Sequence, residues 1–239
     1  MSFIYSLQSN TYYMRAKMFV QNAVSFFSMP DINFNHASPR EELPVIFPAT
    51  DKTVVSDFAS RADIHGNGLL HPTAHLLVYS PDHKFILLQK RSSKQDFSKN
   101  KITTSVSGHI SRSDTYLGQH LVATSARDAI RREAGEEIGT SALDPIFVRQ
   151  YEYQSHWGML NEPTDARRMG YRNNERAFLF TATYPAQHME TRSDEVSWLG
   201  WYSVEGLKKL AIKKPSLFSS SFLRDLREMG ILPKETAEV

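Results

Sequence analysis

Short apolar runs separated by turn-forming residues, with one longer stretch at helical spacing, set the pattern along this chain. His75 to Tyr79 and Lys84 to Gln89 are β-rich apolar runs joined by Ser80-Pro81-Asp82-His83, which predicts two strands and a turn. Ala126, Ala129, Ile130, Ala134 and Ile138 recur at a helical period, predicting a helix over residues 125–138 that Gly139 stops. Further strands are predicted over 146–153 and 176–183, the second central because of Ala177-Phe178-Leu179-Phe180. Trp201 and residues 204–210 predict a strand running into a helix, and residues 217–229 a final helix. Residues 157–174, rich in Gly, Pro, Arg and Asn, predict a loop over a site. Strands interspersed with helices in this order predict an α/β fold, and no internal repeat points to a solenoid.

Ahead of these elements, residues 1–30 carry Arg15 and Lys17 but no acid, together with Tyr12, Tyr13, Phe19, Phe26 and Phe27. A packed helix over residues 12–28 is predicted, with an amphipathic targeting segment as the other reading. Pro30, Pro39, Pro44 and Pro48 punctuate the adjoining stretch. This divides the chain into a partly helical N-terminal extension, residues 1–42, and a main domain, residues 43–239.

Composition narrows the classes open to such a domain. The 239 residues carry 28 basic and 26 acidic side chains, a net charge of +2, which gives no support for a nucleic-acid surface. Cysteine is absent, so disulfides, thiolate metal sites and cysteine nucleophiles are excluded, and a reducing, cytoplasmic location is expected. No run reaches the roughly 18 apolar residues of a membrane-spanning helix. No heptad or interface motif defines an assembly, which leaves a homodimer open.

Chemistry concentrates in Arg132-Glu133-Ala134-Gly135-Glu136-Glu137-Ile138-Gly139. On a helix, Glu133, Glu136 and Glu137 stand at i, i+3 and i+4 and share one face. Like charges there repel, and carboxylate oxygens suit a hard cation, Mg2+ or Mn2+, held jointly with substrate phosphates. A solvated acidic stripe balanced by Arg127, Arg131 and Arg132 is the alternative that spacing alone leaves open. Upstream, Gly108-His109-Ile110-Ser111-Arg112-Ser113-Asp114 predicts a flexible loop with a polar end.

Together these segments resemble the signature of Nudix proteins: Gly, five residues, an acid, seven residues, then Arg-Glu-hydrophobic-x-Glu-Glu-x-Gly-hydrophobic. Gly108, Arg132, Glu133, Glu136, Glu137 and Gly139 match it, and Ala134 and Thr140 take its apolar positions. Asp114 stands at the first acidic position, separated from Arg132 by seventeen residues instead of seven, so residues 115–124 form an insertion. A register starting at Gly118 has the usual spacing but puts Thr124 at the acidic position. The resemblance implies a mixed β-sheet sandwiched between helices and cleavage of a diphosphate linkage in a small molecule.

Within that family, residues 41–51, 61–65, 68–71 and 87–91 resemble the branch containing isopentenyl-diphosphate isomerase and its hydrolase-like relatives. That likeness implies a second divalent-metal position made by His65, His71, His109 and Glu175, with Glu175 also serving proton transfer. It also implies a cysteine before Gly-His and an acid two residues before the glutamate, where this chain has Ser107 and Asn173. A serine hydroxyl is a poor acid without activation, and the carboxylates of the octet are intact, so the balance moves toward hydrolysis. The isomerase reaction is the alternative, and a noncatalytic ligand-binding domain is a third.

For hydrolysis, Glu133, Glu136 and Glu137 are expected to hold Mg2+ or Mn2+. A carboxylate from that cluster, or Glu175, Asp194 or Glu195, is expected to accept the proton of the attacking water. Lys90 and Arg91 are candidates for phosphate contacts, and Arg132 for an ion pair that steadies the acidic helix. Tyr151, Tyr153, Trp157 and Tyr171 are candidates to stack on a base or line an isoprenoid pocket, although a strand aromatic such as Tyr153 more often packs in the core.

Overall fold

Alternation along two central strands decides how the chain is layered. The computed structural model describes residues 41–47, 53–94, 98–156, 172–185, 191 and 193–234. In it, β3 (His71–Tyr79) turns Ala74, Leu76 and Val78 to one face and Leu77 and Tyr79 to the other. Strand β8 (Arg172–Thr183) runs parallel to β3, in register from His71↔Glu175 to Tyr79↔Thr183. It sends Phe178, Phe180 and Ala182 to the first face and Ala177 and Leu179 to the second. Both faces are covered, which is why these strands read as nearly unbroken apolar runs.

Helix α2 (Ala123–Glu137) covers the first face through Ala126, Ala129, Ile130 and Ala134. Its end is closed by Gly139 at φ 73°, a left-handed conformation that glycine adopts without steric cost. The second face is covered by α3 (Val204–Lys213) through Leu207 and Ala211, and by α4 (Ser220–Glu228) through Phe222 and Leu226. Ser203 and Ser219 cap these two helices by accepting the N–H of Gly206 and of Phe222. Each fully buried phenylalanine, Phe178, Phe180 and Phe222, contributes roughly 2–3 kcal/mol. The result is the expected α/β architecture, a mixed sheet between helices.

Among the described residues the sheet has seven strands, with β4 (Phe85–Arg91), β5 (Ile102–Thr103), β6 (Val106–His109), β7 (Ile146–His156) and β9 (Val196–Ser203) completing it. Its path runs β5-β4-β3-β8-β7, with β6 antiparallel to β3 and β9 antiparallel to β4. A separate antiparallel pair, β1 (Glu42–Ile46) and β2 (Val55–Ser60), leads into the short helix α1 (Arg61–Asn67). Among the described residues no helix is long and apolar enough to cross a membrane.

Two segments differ from expectation. Gly108 and His109, expected as the start of a loop, end strand β6, and Arg172–Asn174, also expected as loop, opens β8 opposite residues 154–156 of β7. Their polar side chains line clusters at the strand ends instead of the core, so pattern alone hid their backbone pairing. The helix expected over 12–28, and the loop expected over 157–171, lie outside the described residues.

Helix α4 is tied to edge strand β7 by Glu228, which accepts 2.7 Å contacts from Arg149 on β7 and Arg224 on its own helix. Burial works against the Glu228 charge, but the hydrogen bond from Arg149 and the charges of both arginines outweigh it and hold its pKa below the usual carboxylate range. A depressed carboxylate stabilises above its unfolded pKa and stops doing so as pH falls through the folded one. Glu228→Gln is therefore expected to cost about 1 kcal/mol or less at pH 7, a difference that fades in urea unfolding as pH falls below the ordinary carboxylate value and disappears below the lowered folded one. An equal difference at both pH values would contradict the ion-pair account.

Candidate active site

Strand β6 divides two polar clusters. Its pairs with β3 are Thr73↔His109, Ala74↔Gly108, His75↔Ser107 and Leu76↔Val106. Directly opposed residues share a face, so the Ser107 and His109 side chains lie with Thr73 and His75, while Gly108 and Val106 face α2.

On the α2 side, Gly108 admits Glu133: a Cβ there would sit 2.2 Å from Glu133 Cδ. Glu137, one turn further on, is buried, and its Oε2 accepts hydrogen bonds from Gln89 Nε2 at 3.0 Å and the Ser107 N–H at 3.2 Å. Burial pushes the Glu133 carboxyl up to about 7 despite Arg132, with Glu136 and Glu195 adding to the rise. Burial and the Glu133 charge push Glu137 up to about 8, against the pull of Arg91. Burial lowers the Arg91 pKa, opposed by Glu137 and Glu195, which places that guanidinium in the field of both carboxylates. Glu136 is different, with a side chain 60% exposed.

Arg132 is committed to structure. Its guanidinium meets Glu133 at 2.8 Å, Asp114 at 3.1 Å and Glu136 at 3.6 Å. Asp114 also accepts the Ser111 N–H at 2.8 Å, so it caps its own turn and anchors Arg132. Strand alternation sends Lys90 and Arg91 to opposite faces of β4, so Arg91 but not Lys90 lies on the side of Gln89 and Glu137. Asp194 is an exposed partner of Lys94 at 3.2 Å.

On the other side of β6, His65 comes from α1, His71 from β3 and His109 from β6. Their ring centroids are 4.9 to 5.5 Å apart, and one ligand nitrogen from each lies within 4.8 Å of the others. Burial lowers all three pKa values, that of His65 to about 2, and keeps the imidazoles neutral, the form that binds a metal. His71 donates Nδ1–H to the Leu69 carbonyl at 3.0 Å, which leaves its buried Nε2 lone pair without a hydrogen-bond partner. Such an arrangement fits a metal ligand whose other nitrogen is fixed by a carbonyl. Glu175, beside His71 in the β3–β8 register, is buried, with Oε1 accepting from Asn173 Nδ2 at 2.7 Å and Oε2 lacking a hydrogen-bond partner. These groups have the donor chemistry to chelate a divalent ion.

Next to Glu175 on the same face stands His75, buried, with Nε2 4.0 Å from Glu175 Oε2 and Nδ1 3.0 Å from Asp225 Oδ1 on α4. Burial alone would lower the His75 pKa, but the charge and hydrogen bond of Asp225, then Glu175 and Glu137, push it up to about 9. Tyr151 donates its hydroxyl to the same Asp225 oxygen at 2.5 Å, and Tyr153 donates to Ser220. Both tyrosines are thus tied to α4, and Tyr151, buried in the core, is no stacking platform. Trp157 and Tyr171 lie outside the described residues. Sequence reasoning passed over Gln89, His75 and Asp225; the available signal was a polar residue at an apolar position, Asp225 sitting between Phe222 and Leu226 on the buried stripe.

A family model described as NUDIX domain matches residues 69–221. The chain belongs to the NUDIX domain family. Nudix hydrolase 3 of Arabidopsis thaliana is 31% identical over 108 residues, and the match spans 45% of this chain but only 13% of that protein. Among solved structures, DR0079 from Deinococcus radiodurans has a similar fold, with a TM-score of 0.55 at 14% identity, covering 78% of this chain and 98% of that one. The E. coli dihydroneopterin triphosphate pyrophosphohydrolase gives a TM-score of 0.44 at 17% identity, covering 66% and 92%. The Nudix match takes in His71, Gly108, His109, the Arg132–Gly139 octet, Glu175 and Glu195; His65 precedes it and Asp225 lies after it.

Proposed function

We propose that this Nudix protein is a metal-dependent hydrolase that cleaves a diphosphate linkage in a small molecule. The observation that carries the reading is the packing of Glu133 and Glu137 against β6, in the field of Arg91 and Glu195, where burial raises both carboxyl pKa values and favours a cation. Mg2+ or Mn2+ held by Glu133, Glu136 and Glu137 would supply charge neutralisation at phosphate and a more acidic bound water. The chain's own groups do the rest. Gln89 and the Ser107 N–H orient the Glu137 carboxylate, and Arg132 holds Glu133 by a 2.8 Å hydrogen bond. Arg91 supplies a fixed positive charge suited to a phosphate oxygen, and Glu195, whose charge is felt at Glu133, is the group assigned to take up the proton of the attacking water.

The histidine cluster with Glu175 favours a second reading, the isomerase-like branch, because it supplies the second divalent-metal position which that branch implies. Ser107 weighs against it: the hydroxyl stands on the His75 face of β6 where that reaction would use a thiol. The test is a panel of nucleoside diphosphate derivatives, dinucleotide polyphosphates and prenyl diphosphates, each with Mg2+, Mn2+ and excess EDTA. Phosphate-containing products are expected from at least one class with metal and from none with EDTA. Turnover indifferent to EDTA, or none with any class, would overturn the proposal. Equilibration of isopentenyl with dimethylallyl diphosphate without phosphate release would select the second reading.

A further inference from the structure

Buried charge is expensive unless something pairs with it, and outside the carboxylate helix one such buried acid is Asp225. It is 0% exposed, it lies between the core residues Phe222 and Leu226, and its Oδ2 has no hydrogen-bond partner. Its other oxygen serves His75 Nδ1 at 3.0 Å and the Tyr151 hydroxyl at 2.5 Å. An apolar residue would fill this stripe more cheaply. The opposite nitrogen of His75 points at Glu175 Oε2, 4.0 Å away, with Thr73 Oγ1 at 3.5 Å. Glu175 in turn shares a register position with His71. A continuous line, Asp225–His75–Glu175, therefore runs from the last helix to the histidine cluster, and its first member lies beyond the end of the family match at residue 221.

We propose that Asp225 and His75 are positioning residues for Glu175, holding its carboxylate in the plane that completes the His65, His71 and His109 ligand set. Asp225 fixes the imidazole through Nδ1, so Nε2 faces Oε2 of Glu175. Asn173 Nδ2 holds the other oxygen, Oε1, at 2.7 Å. Asn173 bonded to one oxygen and the His75 charge 4.0 Å from the other constrain the carboxylate, and Oε2, which has no hydrogen-bond partner, keeps its lone pairs for a cation. Tyr151 donates to the same Asp225 oxygen and its hydroxyl lies 3.3 Å from His75 Nδ1, but it does not bond Glu175, and Asp225 and His75 keep their own 3.0 Å contact without it. The inference rests on reading the histidine cluster as a divalent-metal position.

Cobalt(II) titration of the full chain tests this, because its visible absorption reports the ligand set directly. Wild type is expected to show a Co2+ spectrum that His71→Ala removes. Asp225→Asn and His75→Gln are each expected to weaken Co2+ binding about 10–100-fold, as for other groups that orient metal ligands, and to shift the absorption band. Tyr151→Phe, which deletes a buried hydrogen bond to the same aspartate, is expected to lower the melting temperature while leaving the Co2+ affinity and spectrum in place. Wild-type affinity and spectrum in both Asp225→Asn and His75→Gln would overturn the positioning role while the metal reading stands. Absence of any His71-dependent Co2+ spectrum in wild type would overturn both. Should Asp225→Asn fail to fold, His75→Gln carries the test alone.

Discussion

Replacing Glu137 with glutamine is expected to remove metal-dependent phosphate release while leaving the melting temperature unchanged or raised. Glutamine has the same shape, and its carbonyl oxygen can still accept Gln89 Nε2 and the Ser107 N–H. What it lacks is the charge. In the folded chain that charge is costly, since burial and Glu133 push the Glu137 carboxyl up to about 8, so its loss does not weaken the metal-free fold. In catalysis the same charge is what a hard cation and a phosphate require, and a drop of about 10³-fold in kcat, roughly 4 kcal/mol of barrier, is the expected size. Phosphate release with Mg2+ and Mn2+, beside thermal unfolding, measures both halves. Glu136→Gln belongs in the same experiment, because its exposed carboxylate can reach a cation without serving the core. Wild-type turnover in both variants would sink the assignment.

Gly108→Ala is expected to behave as an active-site mutation even though it adds one methyl group to a strand. The new Cβ would lie 2.2 Å from Glu133 Cδ and 2.4 Å from Cγ and Oε1. The obstacle is the end of a side chain, not backbone, and Gly108 is not among the glycines with positive φ, so the strand itself tolerates alanine. Relief comes from moving the Glu133 carboxylate, and a displacement of about 1 Å costs on the order of 10²-fold in rate. A fall in kcat of that size with a nearly unchanged melting temperature is the expected result. Glu133→Gln combined with Gly108→Ala should be little worse than Glu133→Gln alone, because both act through one carboxylate. Full turnover in Gly108→Ala would show that the position of Glu133 does not matter.

The parts of this molecule that were legible in its sequence are those in which neighbours in the chain are neighbours in space. The helix carrying Glu133 and Glu137 announces itself by its alanine and isoleucine spacing and by Gly139, and strands β3 and β8 by their apolar runs, although nothing local names their parallel pairing. The strand nature of Val106–His109 was not legible, because Ser, Gly and His are ordinary loop residues and only pairing with β3 makes them extended. Asp225 was still further out of reach. It meets His75 across 150 positions, and neither residue carries a local signal that names the other. Lys90 and Arg91 illustrate a subtler limit: adjacent and alike in charge, they look interchangeable in the sequence, yet strand geometry sends them to different sides.

The four residues of β6 make a partition one peptide thick, and its parity has an evolutionary consequence. Odd positions, Ser107 and His109, belong to the imidazole side, while even positions, Val106 and Gly108, belong to the acidic helix. Substitutions at one parity can remodel one side while the other keeps its wall. An inserted residue, by contrast, would deliver each side's groups to its neighbour and spoil both at once. Divergence in this lineage is thus free to proceed by exchange along β6 and barred from proceeding by a change in its length.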